Sequence, residues 1–253
     1  MKRYLIFEKA RMLLEAMDYE PAERLRLSEL MQLFAELPVP PDPIGLYPDY
    51  GALKDKFLRA VESESGDTLE EAFLNLYCHV HGHEAPYLPE ERLVVDKTEG
   101  YWCHAGGLSP ILKAPDYIEP HFVSGEFGAG NGLQTLLIQK LKPHKKTVMI
   151  EISSQMVECG KQLQDWLGIP SSRVEWIVSD VTTVPPEDMD FIYLYRPVKP
   201  TGRGREFYRQ FSAHLARSKR KAVIFSIADC LGPFLPRRFK SFYFDGHLTC
   251  YRC

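Results

Sequence analysis

The chain has 253 residues, 45% of them hydrophobic, and a formal net charge of −3, which is enough apolar material for one large domain or a domain with a smaller companion. No run approaches the roughly 18 apolar residues of a membrane span, and charge interrupts the N-terminal stretch 1–8 before a signal-type core develops. A membrane protein is therefore excluded and a cytoplasmic one expected. The six cysteines are scattered through a chain large enough to fold without disulfides, so reduced thiols are the default.

Charge is unevenly shared. Residues 1–120 hold 12 Lys and Arg against 22 Asp and Glu, and the remainder holds 19 against 12. A basic C-terminal part could attract acidic substrates, or the two parts could simply complement each other. The overall pI of about 6.3 lacks the basic footprint of a nucleic-acid binder, so nucleic acid is an unlikely partner.

In chain order, residues 4–17 carry apolar side chains at helical spacing, and residues 21–37 repeat the pattern, with Pro21 suited to the first turn. Five prolines make 38–48 an extended connector. A helix is predicted over 50–61 and another from Thr68, opened by a capping box of Asp67 with Glu70 or Thr68 with Glu71. The run Leu93, Val94, Val95 reads as a short strand, and 101–108, rich in aromatic residues and glycine, as a loop that could fold over a ligand or plug a domain junction. Residues 1–100 are expected to form an N-terminal helical unit and 101–253 a second domain.

From residue 121 onward, strands and helices alternate. Strands are predicted at 121–127, 147–152, 174–178, 191–195 and 222–227, with helices at 133–141, 154–167 and 204–215, which implies a parallel sheet covered by helices. The end departs from this pattern: 239–244 and 247–252 flank Asp245-Gly246, a favoured hairpin turn, so an antiparallel strand closes the sheet.

The chemistry is concentrated around residues 126–132, Glu-Phe-Gly-Ala-Gly-Asn-Gly, between a strand and a helix. Glycine reaches positive φ and leaves the backbone bare to a ligand. Glu151 ends the next strand, 23 residues after Gly128, where a carboxylate can accept both hydroxyls of a ribose. Asp180 ends the third strand and could accept the exocyclic amine of adenine. Glu126 would repel a pyrophosphate and suits a zwitterionic amino-acid tail, which weighs against a dinucleotide.

These residues resemble class I S-adenosylmethionine-dependent methyltransferases over about 100–253. The resemblance implies an α/β fold, a seven-stranded, mostly parallel sheet with an antiparallel C-terminal strand; the N-terminal helical unit is expected to cover the carboxyl edge of that sheet and help choose the substrate. The resemblance also implies that the cofactor is S-adenosylmethionine, leaving as S-adenosylhomocysteine. Gly128, Ala129, Gly130 and Gly132 would line its methionyl part and Glu126 would approach the ammonium. Glu151 would hold the ribose, Ile152 and Val181 would pack on adenine, and Asp180 would bind its amine.

After the fourth strand the chain reads Arg196-Pro197-Val198. Family members that methylate exocyclic amines of bases or glutamine amides have Asn or Asp before Pro-Pro and an aromatic residue there, so this subclass is disfavoured and the acceptor stays unidentified. Arg196 could bind an acidic substrate or the cofactor's carboxylate, or pack as a structural arginine. Tyr101, His104 and Tyr195 are the candidates for a general base. The alternatives are a non-catalytic cofactor-binding protein of the same fold and an NAD-dependent oxidoreductase.

Cys78, His79, His81 and His83, with Cys103 and His104, offer zinc-ligand chemistry without a Cys-x-x-Cys pair, and no metal is expected. The basic run from Arg203 to Lys221 could grip an acidic partner or form a solvated helix face.

Overall fold

The computed structural model describes residues 2–62, 65–100 and 107–253. The chain divides into two compact units, one made of 1–83 with 105–113 and the other of 84–104 with 114–253.

The first unit is helical: α1 (Lys2–Leu13), α2 (Pro21–Glu36), α3 (Tyr50–Val61) and α4 (Gly66–His81). Pro21 does open α2, where the first N–H has no intrahelical partner to lose. Phe73 of α4 meets Phe34 of α2 edge to face at 5.4 Å between ring centroids and Phe57 of α3 at 5.5 Å. All three rings are fully buried, each contributing about 1.5–3 kcal/mol by leaving water. The connector after α2 is tied by the Asp42 carboxylate, which accepts the amides of Leu46 and Tyr47 at 2.6 and 2.7 Å.

Two local expectations are corrected. Helix α4 starts earlier than Thr68, and its cap is Ser65, whose hydroxyl accepts the Thr68 amide, so neither capping box forms. The run Leu93, Val94, Val95 lies inside α5 (Pro89–Thr98) and is not a strand. Three apolar residues cannot distinguish the two periods. The helix is set by Pro89 at its first position and by Glu91, which accepts the Leu88 amide at 2.8 Å.

A short helix, α6 (Ser109–Lys113), completes the first unit. The second holds a seven-stranded sheet of β1 (Val123–Phe127), β2 (Lys146–Glu151), β3 (Val174–Val178), β4 (Phe191–Tyr195), β5 (Val223–Ile227), β6 (Lys240–Phe244) and β7 (Leu248–Arg252). Their order across the sheet is 3-2-1-4-5-7-6. Strands 1 to 5 are parallel, β7 is antiparallel to β5, and β6 is antiparallel to β7, as the Asp-Gly turn predicts. Asp245 closes that turn by accepting the amides of His247 and Leu248.

Register fixes which side chains share a face. Phe127 pairs with Ile150 and Leu194, and this side of the sheet forms one cluster with Phe207, Tyr208 and Phe211 of α9 (Gly204–Arg217). Glu126 pairs with Met149 and Tyr193 on the opposite side. There the Tyr193 hydroxyl bonds Gln134, in the first turn of α7 (Leu133–Leu141), so that turn and Glu126 share a face. The remaining helix, α8 (Ser154–Trp166), comes so close to the glycine loop that a Cβ on Gly160 would lie 2.9 Å from the Asn131 carbonyl oxygen and 2.2 Å from the Trp176 ring.

A buried polar knot ties down the opposite, amino edge of the sheet. His144 Nδ1 faces the Lys142 carbonyl at 2.8 Å, so Nδ1 carries the proton. Nε2 therefore accepts, from the hydroxyls of Ser124 at 2.8 Å or Thr147 at 3.0 Å. Burial is the main force lowering the His144 pKa, and Arg173 adds to it against the opposing Lys142 bond. A histidine neutral in the fold but free to ionise when unfolded costs stability as pH falls below about 6.5. Urea unfolding at pH 7.5 and 5.0 should show the parent losing more stability on acidification than His144→Gln, by up to about 1.4 kcal/mol per pH unit.

Candidate functional site

Strand β1 delivers the chain into the glycine loop at the carboxyl edge of the sheet. Gly128, Gly130 and Gly132 all have positive φ, at 77°, 58° and 65°. Their reasons for being glycine differ. A Cβ on Gly132 would strike the Met149 sulfur and the Trp176 ring, each at 2.6 Å, and one on Gly128 would press on Pro197 at 3.0 Å. A Cβ on Gly130 would meet only the Met156 methyl, at 4.0 Å. Gly132 and Gly128 are needed for packing, whereas Gly130 borders open space.

The loop's amides are already engaged. Gly128 and Ala129 both donate to the Ile150 carbonyl at 2.9 and 3.0 Å, Gly130 to Glu151 at 2.8 Å, and Gly132 to the Ala129 carbonyl at 2.8 Å. The Leu133 amide donates to the Asn131 side chain at 3.2 Å. A pyrophosphate held at a helix N-terminus needs such amides pointing outward, and these five do not.

The loop is surrounded by acid. Glu126 is 3% exposed, and its Oε2 has no hydrogen-bond partner. Burial raises its pKa to about 8; Thr135 opposes that, and the Glu151 carboxylate adds to it. The Thr135 hydroxyl, near enough to act on this charge, makes no hydrogen bond of normal geometry. Glu151 is also buried and its pKa raised, against the pull of amide bonds from Ser153, Gly130 and Ile152. Its two oxygens accept Gly130 and Ser153 at 2.8 Å each, so this side chain braces the loop itself.

Glu91, not anticipated from the sequence, is the third acid. Burial would raise its pKa, but bonds from the Ser154 amide at 2.9 Å and hydroxyl at 2.7 Å, and from Leu88, bring it below the usual carboxylate range. Its charge contributes to the rise at Glu151. Three coupled carboxyl groups favour a cationic ligand and oppose an anionic one.

The other expected residues lie along the same edge. Ile152 follows the end of β2, half-buried, and the Ser179 amide after β3 donates to the Glu151 carbonyl at 3.0 Å. Asp180 caps a short turn by accepting the Thr182 amide at 2.9 Å, and Val181 packs against the core beneath. Arg196 follows β4 with φ 42°, next to the Pro197 that lies over Gly128. Tyr195 turns toward the hairpin, its ring 5.9 Å from that of His247. Tyr101 and His104 lie outside the described residues.

Among the described residues no cluster could hold a metal. His83 bonds the His79 carbonyl and His81 stacks on Tyr77, while Cys78, Cys159, Cys230, Cys250 and Cys253 form no disulfide. No described helix is long and apolar enough to cross a membrane. Three of the seven cations in the basic run are paired with acids: Arg217 with Glu187 at 3.3 Å, Arg220 with Asp190 at 3.2 Å, and Arg209 with Glu206 at 3.7 Å.

No protein-family model matches the chain, and no curated protein matches it. Solved structures resemble it in part. An RNA methyltransferase from Salinibacter ruber in complex with S-adenosyl-L-homocysteine is 18% identical over 57% of this chain and 87% of its own, with a TM-score of 0.45. TrmN from Thermus thermophilus is 15% identical, TM-score 0.42, over 57% of this chain but only 46% of its own. An rRNA methylase from Streptococcus thermophilus is 14% identical over 55% and 89%, TM-score 0.39. Two of the three are RNA methylases by name. The seven strands, their antiparallel close and the loop between β1 and α7 give the chain the fold expected of class I S-adenosylmethionine-dependent methyltransferases.

Proposed function

We propose that this chain binds S-adenosylmethionine at the glycine loop and transfers its methyl group to an acceptor. The observation that carries the reading is the buried Glu126 carboxyl, with one oxygen unpartnered, beside a loop whose amides are spent. An ammonium would satisfy that oxygen and restore the charge that burial suppresses. The space beside Gly130 suits the methionyl chain, and Gly128, Ala129 and Gly132 are assigned to shaping the loop around it. Glu151 is assigned to the ribose as well as to the loop, and Ile152, Val181 and Asp180 to the adenine.

Bound S-adenosylmethionine supplies an activated methyl on a sulfonium, which a nucleophilic N, O, S or C of the acceptor displaces in line. The protein's share is to hold the reactants in line and exclude water. Glu91, Glu126 and Glu151 make the field around the site negative, which favours the cationic cofactor. A base is required only for acceptors that must lose a proton. Cytoplasmic work is part of the proposal, in keeping with thiols that form no disulfide.

Incubation with S-adenosylmethionine labelled in the methyl group, against pools of metabolites, proteins and RNA, tests the reaction. Label should pass to one pool, and Gly130→Val should abolish the transfer. Tight cofactor binding with no transfer to any pool would instead leave a non-catalytic cofactor-binding protein.

A further inference from the structure

A second cavity of about 620 Å³ opens at the carboxyl ends of β4 and β5, beside the β6–β7 hairpin. Arg196, Ala228, Asp229, Phe244, His247 and Tyr251 are among the residues that line it. It adjoins the glycine loop through Arg196, since the next residue, Pro197, lies over Gly128. Its size falls within the range of small-molecule sites, about 300–1,000 Å³.

Strain is concentrated here. Two of the three described non-glycine residues with positive φ are Arg196 at 42° and Ala228 at 47°, and both line this cavity at the ends of neighbouring strands. Arg196 also precedes a proline, which pushes its predecessor toward extended backbone. Such conformations are costly and persist where the surroundings hold them in place. At the mouth the Phe244 ring is 68% exposed, an apolar surface available to a ligand.

The lining carries one acid and one guanidinium. Asp229 is the acid, and its oxygens are filled by the Ser226 hydroxyl at 2.5 Å, the Tyr251 hydroxyl at 2.6 Å, and the amides of Leu231 at 3.0 Å and Gly232 at 3.2 Å. It braces the pocket and has little left to offer a ligand. The Arg196 guanidinium, near enough to Cys230 to act on that thiol, and the exposed His247 imidazole supply donors. Aromatic surface at Phe244 and at the Tyr195–His247 pair borders them.

We infer that this cavity takes the methyl acceptor, and that the acceptor is a small aromatic compound bearing an oxyanion such as a carboxylate. The ring lies against Phe244 and His247, and the oxyanion is anchored by Arg196. A small molecule is favoured over an RNA strand because the cavity has the volume of a small-molecule site, and three of the seven cations between Arg203 and Lys221 are paired with acids. This inference rests on the cofactor reading for the word acceptor; the binding of an aromatic acid does not.

The test is calorimetry on the full chain saturated with S-adenosylhomocysteine, using 2-naphthoate, its neutral analogue 2-naphthamide, and a short oligoribonucleotide. Naphthoate should bind, with the amide about ten-fold weaker or worse. Arg196→Asn, in which asparagine tolerates the left-handed backbone, should weaken naphthoate by about ten-fold or more. His247→Ala should weaken it several-fold and leave S-adenosylhomocysteine affinity unchanged. Cofactor binding without naphthoate binding, equal affinity for acid and amide, or an oligoribonucleotide binding where naphthoate does not would overturn the inference. Naphthoate binding to a chain that ignores S-adenosylhomocysteine would keep the aromatic-acid site and remove the cofactor reading instead.

Discussion

Replacing Glu126 by glutamine should weaken S-adenosylhomocysteine binding by about 10- to 100-fold, the worth of a charge-assisted bond, while making the ligand-free protein more stable at alkaline pH. Both effects come from one buried carboxyl. Its folded pKa, about 8, lies above the ordinary 4.5, so between these values the folded chain holds a proton that the unfolded chain releases. The group's contribution to stability is therefore full below 4.5 and is lost as pH rises through 8. Glutamine cannot ionise, so Glu126→Gln lacks that loss, and melting curves at pH 6 and pH 8.5 should converge for the variant and diverge for the parent.

Binding runs the other way. An ammonium needs the carboxylate, so ligand binding near pH 7 must expel the proton, and parental affinity should climb from pH 6 to 8. The variant should be weaker and flatter. Unchanged affinity in Glu126→Gln would remove the ammonium from this position. Histidine 144 titrates with the opposite sign in part of the same window, which is why its effect is read as a difference between parent and variant.

The second large effect is expected at Gly130. Valine there should leave a folded protein that no longer binds the cofactor. A Cβ there meets nothing closer than the Met156 methyl at 4.0 Å, so the main cost of folding is the left-handed backbone, about 1–2 kcal/mol. The same side chain projects into the space beside the loop, and the loss of affinity should exceed about 100-fold, or roughly 2.7 kcal/mol. Gly132→Val is the contrasting case: its side chain would collide with Met149 and Trp176, so it should fail by unfolding. Circular dichroism and calorimetry on the two variants separate these outcomes. A Gly130→Val protein that binds normally would show that the ligand does not pass over this residue.

The alternating strands and helices after residue 121 were legible because each element is long enough to show its period, and because Asp245-Gly246 names its own turn. Helix α5 was not legible: Leu93 to Val95 fit either period, and the deciding bond, from the Leu88 amide to Glu91, involves a side chain that pattern alone does not single out. In the site, Glu126, the glycines and Glu151 could be placed by spacing from β1 and β2. The role of Glu151 as a brace for Gly130 and Ser153 could not be, since it depends on which way a buried carboxylate turns.

Glu91 and the second cavity were invisible for a different reason. Glu91 lies 35 residues before Glu126 and joins the acid cluster only through the tertiary placement of α5 against the start of α8. The stretch Ala228, Asp229, Cys230 carries one available signal, its position just past the end of β5, where α/β sheets place their ligands. Its left-handed backbone and the saturation of Asp229 emerge only from the fold.

The central claim, a site for a cationic amino-acid cofactor and not for a dinucleotide, is tested most directly by calorimetry at pH 7 in two buffers of different ionisation enthalpy. The account predicts that S-adenosylhomocysteine binds with proton release that disappears in Glu126→Gln, and that NAD gives no binding heat. Tight NAD binding with no response to S-adenosylhomocysteine or S-adenosylmethionine would contradict it.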